Sequence, residues 1–102
     1  MKIIKCLSEL IDEELSDADK YIDLAERWKT DNKEAADLFH QLSVEEMGHV
    51  DKLHDEVKRL IDEYRTEHGE PPKEMMVLYE YLHEQHIGQA TRIRVKQAMY
   101  KA

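Results

Sequence analysis

The stretch Ala35–Leu60 reads AADLFHQLSVEEMGHVDKLHDEVKRL, and its periodicity decides the fold. Written as a helix, it places Ala35, Phe39, Leu42, Glu46, His49, Leu53, Glu56 and Leu60 at alternating steps of four and three, the spacing of one seam. The quartet Glu46-Met47-Gly48-His49 thus sets a carboxylate and an imidazole where leucine is expected. The preceding segment repeats the pattern with Ile4, Leu7, Ile11, Glu14, Ala18, Tyr21, Ala25 and Trp28, and Glu14 interrupts an otherwise apolar row. An ionised side chain in a core is costly unless something neutralises it. Two carboxylates and an imidazole converging on one interior are most simply reconciled by a bound divalent cation. Without a cation, Glu14 reads as a polar seam residue that sets register or pairs with a lysine, and Glu46 with His49 as a hydrogen-bonded pair.

Working outward, the sequence predicts an all-α domain spanning residues 1–102, with helices over about 2–29, 32–68 and 72–100. Asp31 followed three residues later by Glu34 resembles a capping box and starts the second helix. Gly69 fits the left-handed residue after a helix end, and Pro71-Pro72 stops the second helix and primes the third. Met75, Tyr79, Leu82, His86, Ala90, Ile93 and Tyr100 form the apolar stripe of that last helix. The short polar run between the first two helices makes them a long antiparallel hairpin, with the third helix laid against it.

Charged residues make up 37% of the chain and there are only three Gly and two Pro, a balance that favours long helices over sheet or disorder. A net charge of −8 argues against nucleic-acid binding through a basic face and against attachment to an anionic membrane. The lone Cys6 has no internal disulfide partner and reads as a small buried hydrophobe. With no apolar run long enough for a signal peptide or a spanning helix, the expectation is a reduced, cytoplasmic protein. A chain this short buries a limited core alone, so a homodimer or higher homo-oligomer is the expected state.

Seam residues meet only if they are level. With the first turn centred on Asp31, Glu14 lies 17 residues before it, Glu46 lies 15 after and His49 lies 18 after. At about 1.5 Å rise per residue the three are level within roughly 3 Å. A second quartet, Glu80-Tyr81-Leu82-His83, is offset from them by roughly 10–15 Å along the bundle and belongs to a different environment. His83 and His86 fall at the height of His54 and read as interface or capping histidines, with an adventitious metal site as the other reading. In dimetal carboxylate bundles, one Glu from each of two helices joins a Glu-x-x-His from each of the other two. This chain carries half that inventory, and a two-fold partner supplies the rest by symmetry.

Glu14, Tyr21 seven residues on, Glu46 and His49, in a chain of this length, resemble the ferritin-like dimetal proteins. The similarity is greatest to the short encapsulated-ferritin group, and it covers roughly residues 5–60. The resemblance implies a four-helix ferritin-like core completed by dimerisation, holding two irons per dimer. It implies that Glu46 bridges the irons, that Glu14 and His49 are terminal ligands, that Tyr21 stands beside them, and that Glu13 is part of an outer metal-attracting site. The implied activity is a ferroxidase oxidising Fe(II) with dioxygen, so that Glu14, Glu46 and His49 are both metal-binding and catalytic; manganese and zinc suit the same donors. An encapsulin shell is an implied partner, although residues 95–102 do not look like its apolar, Gly-containing targeting tail. The chain also looks like small bacteriophage-encoded proteins. That similarity fits the alternative expectation, a metal-free acidic helical interaction protein acting as a phage or prophage accessory or inhibitor factor.

Overall fold

The computed structural model describes residues 2–101; Met1 and Ala102, the ends of the expected domain, lie outside them. Three helices account for nearly all of it: α1 (Lys2–Trp28), α2 (Lys33–His68) and α3 (Lys73–Lys101). No strand occurs among the described residues, and none of their helices is long and apolar enough to cross a membrane. The molecule measures 56 × 19 × 17 Å, its long dimension set by the 36 residues of α2.

Both turns are written locally. The cap of α2 is Asn32, not the expected Asp31: the Asn32 Oδ1 accepts from the Ala35 backbone N–H at 3.1 Å. The second helix ends at Gly69, whose φ of 79° only glycine adopts cheaply, and whose N–H donates to the Arg65 carbonyl at 3.0 Å. The Pro72 carbonyl then accepts from Met75 and Met76, opening α3.

Helix α1 buries Ile4, Leu7, Ile11, Leu15, Ala18, Ile22 and Ala25, and α2 faces it with Ala36, His40, Ser43, Met47 and Val50. The buried row of α2 therefore lies one residue along from the expected seam. Phe39, Leu42, Glu46, Leu53 and Leu60 are half-buried and His49 is exposed. In α1 the same correction leaves Glu14 and Tyr21 half-buried and exposes Trp28. Cys6 is exposed as well, contrary to its reading as a buried hydrophobe.

Helix α3 lies parallel to α1 and antiparallel to α2, contributing His86, Ala90, Ile93, Gln97 and Tyr100 to the interior. Ser43 joins all three helices: its hydroxyl donates to the Ala18 carbonyl at 2.7 Å and accepts from Gln97 Nε2 at 2.8 Å. Further out, Lys96 donates to Asp19 and Asp23, His86 Nε2 meets Asp12 Oδ1 at 2.7 Å, and Arg94 holds Asp51 through both carboxylate oxygens. The Tyr100 hydroxyl donates to Asp37 at 2.6 Å; burial and that carboxylate push the phenol up to about 12.

Candidate metal centre

The chain has two flanks. On α1, the residues that bond α3 are Asp12, Asp19 and Asp23. At about 100° per residue, Leu10, Glu14, Tyr21 and Trp28 point to the opposite side of that helix. On α2, Asp37 and Asp51 bond α3, while Ala35, Leu42, Glu46, Leu53 and Leu60 face away from it. One flank of the hairpin is thus covered by α3. The other is a half-exposed apolar strip with an acidic centre.

At that centre the structure brings Glu14, Glu46 and His49 together, each offering one donor atom within 4.8 Å of the others. His49 Nδ1 stands 3.5 Å from Glu14 Oε2 and 3.8 Å from Glu46 Oε2. Their common height follows from the hairpin: Ala18 with Ser43, Tyr21 with Phe39, and Glu14 with His49 all mirror through the turn around Asp31. Oxygen and nitrogen donors on one small cation, at about 2.1 Å each, stand roughly 3–4 Å apart, so the cluster needs only small side-chain movements to close on an ion.

Burial is uneven: the side chains of Glu46, Glu14 and His49 are 19, 27 and 53% exposed. Glu14 Oε2 is nevertheless sealed from solvent and has no hydrogen-bond donor. A carboxylate oxygen in that state is destabilising by about 1–3 kcal/mol unless a cation or donor reaches it. Among the described residues this is the single group of three or more His, Cys, Asp or Glu side chains whose donor atoms converge in this way. The donor chemistry and the stranded oxygen both fit a divalent ion.

The neighbours are placed as follows. Tyr21 is two turns along α1 and stacks on Phe39, with ring centroids 6.5 Å apart. Glu13 is exposed on the outer surface of α1, away from the three donors. Arg94 is committed to Asp51 on the flank covered by α3 and does not offset the charge of Glu14 or Glu46.

The sequence puts His54 at the height of His83 and His86, and the structure pairs it with His83. His54 Nε2 and His83 Nδ1 lie 3.0 Å apart with their rings near-parallel. They border a cleft of about 330 Å³ between the three helices. The equal heights of His54 and His83 across the second turn were the available signal. Comparison with protein-family models, curated proteins and solved structures finds no match to this chain.

Proposed function

We propose that this chain is a ferritin-like dimetal protein, with two copies joined through the uncovered flank so that Glu14, Glu46 and His49 of both line one site. The observation that carries this reading is Glu14 Oε2, sealed and without a hydrogen bond beside two further metal-type donors. The flank around it supports a second copy. Leu10, Trp28 and Leu38 are 38, 39 and 53% exposed and continue the half-buried row of Tyr21, Phe39, Leu42 and Leu53 on either side of the donors.

In this reading the activity is that of a ferroxidase with Fe(II) as substrate. Each of two Fe(II) gives up one electron; dioxygen takes both with two protons and leaves as hydrogen peroxide. The carboxylates of Glu14 and Glu46 favour the more highly charged product ion, and the His49 imidazole supplies a neutral donor. The exposed edge of His49 gives ions a way in, while Leu42 and Leu53 keep the centre dry.

The test is an anaerobic Fe(II) titration followed by admission of oxygen, with absorbance and solution mass followed together. Stoichiometric uptake, an oxygen-dependent ferric absorbance and a dimer mass are expected, and Glu46→Ala should abolish the uptake and weaken the dimer. A monomer that binds no metal before or after the substitution would sink the proposal and favour a metal-free acidic interaction protein instead.

A further inference from the structure

We infer a second cation site, beside the cleft between the three helices, in which the imidazoles of His54 and His83 and the carboxylate of Glu80 bind a divalent ion of the zinc, nickel or copper type. It shares no residue with Glu14, Glu46 and His49, and it stands whether or not those bind iron.

The geometry begins with the ring nitrogens. His54 Nε2 and His83 Nδ1 face one another at 3.0 Å from two different helices. A hydrogen bond between them needs one proton and one lone pair, so at least one imidazole must be neutral. Two nitrogens about 2.1 Å from a common ion and roughly at right angles stand about 3 Å apart, so the pair already has the spacing of a chelate. The other nitrogen of His54 lies 4.0 Å from Asp55 Oδ1, beyond a hydrogen bond, so either ring can hold the shared proton.

The third donor comes from sequence spacing. Glu80 precedes His83 by three residues, one turn of α3, and both border the 330 Å³ cleft. Glu80 is exposed, so a rotation of its side chain brings a carboxylate oxygen to the pair while the cleft leaves room for water as a fourth ligand. His86, the next turn along, is held by Asp12 on α1 and flanks the site instead of joining it. Two imidazoles and one carboxylate are borderline donors, which select zinc-like ions over magnesium or calcium. Binding would displace the proton between the two rings and clip the first half of α3 to α2.

The test uses the full chain carrying Glu46→Ala, which silences the other centre, titrated with zinc chloride at pH 7.5 by calorimetry. One zinc per chain, with proton release and a raised melting temperature, is expected. His54→Gln and His83→Gln should each weaken binding at least about 10-fold. Nitrogen-15 spectra of the unaltered chain provide a measurement that requires no substitution: one equivalent of zinc should shift His54 Nε2 and His83 Nδ1. Zinc affinity unchanged in both histidine variants, or ring shifts confined to His49, would overturn the inference.

Discussion

Replacing Glu14 with leucine separates a metal site from an ion-pair cluster, because the two demand opposite changes in the stability of the metal-free protein. Glu14 Oε2 is sealed and accepts no hydrogen bond, and His49 Nδ1 is 3.5 Å away, beyond a useful hydrogen bond. An unsatisfied buried polar atom costs about 1–3 kcal/mol. Since 27% of the side chain remains exposed and its other oxygen can be hydrated, the lower end applies. Leucine also adds apolar burial between α1 and α2 worth about 1 kcal/mol. Glu14→Leu should therefore raise the stability of the chelator-treated protein by about 1–2 kcal/mol, roughly 5–10 °C in melting temperature for a domain of this size. Adding Mn(II), which prefers oxygen donors and resists oxidation, should reverse the order. At one hundred times its dissociation constant, a bound ion contributes about 2.7 kcal/mol to the native protein and nothing to the variant. Circular-dichroism melts at one fixed protomer concentration, with chelator and with Mn(II), give all four numbers. Should Glu14→Leu melt lower than the native chain in chelator, the carboxylate is held by His49 without help, and the metal reading of these residues fails.

Three further substitutions probe the rest of the fold. Ser43→Ala leaves the buried Gln97 amide without its acceptor and removes the second donor to the Ala18 carbonyl, and should cost about 1–3 kcal/mol in chemical denaturation. Adding Gln97→Met should recover part of that loss, and strict additivity would show that the pair is not coupled. His83 binds protons less readily in the fold than in the unfolded chain, because of burial and the nearby charges of His54 and His86, only partly opposed by Glu84. Its contribution is therefore present above the ordinary histidine value and declines as pH falls through the lowered one, so melting temperature should drop between about pH 7 and pH 5. His83→Gln should flatten that slope; an unchanged slope would place the sensitivity elsewhere.

The lengths and heights of the helices were legible in the sequence, because both rest on short-range rules. Gly69 and the two prolines fix the second turn, and the polar run from Lys29 to Lys33 fixes the first. A mirror through each turn then places Glu14 beside His49, and His54 beside His83, to within a turn. Rotation about the helix axis was not legible to the same degree. Two adjacent rows of α2, one through Phe39, Leu42 and Glu46 and one through His40, Ser43 and Met47, share the same spacing, and the first is the more apolar. The second is the one buried, because its polar members are served: Ser43 by Ala18 and Gln97, His40 by stacking on Tyr100 at 5.0 Å between ring centroids. Gln97 and Tyr100 sit in α3, 54 and 60 residues from Ser43 and His40, beyond any local pattern. Capping was missed by one residue for a simpler reason: Asp31 and Asn32 are both good caps, and only backbone geometry chooses between them.

The two Glu-x-x-His quartets share one local chemistry, and their different surroundings show how much the frame decides. Glu46 and His49 lie midway along the hairpin, level with Glu14, on the flank that α3 leaves open. Glu80 and His83 lie toward the other end, level with the first turns of α1. Helix α1 begins at Lys2, which mirrors to about Leu60 of α2, so Ile61–His68 and the first turns of α3 extend past the end of α1. His54 mirrors to about Leu7, so the 330 Å³ cleft has Ser8 and Ile11 of α1 on one side, and His54 and His83 join α2 to α3 beside it. At the centre, a cation would satisfy an oxygen stranded within an otherwise well-packed interface. Near the other end, it would tie α2 to α3 beside the first turns of α1. The same four-residue spacing thus falls beside a carboxylate oxygen that lacks a positive charge in one place, and beside a histidine pair bordering a cleft in the other.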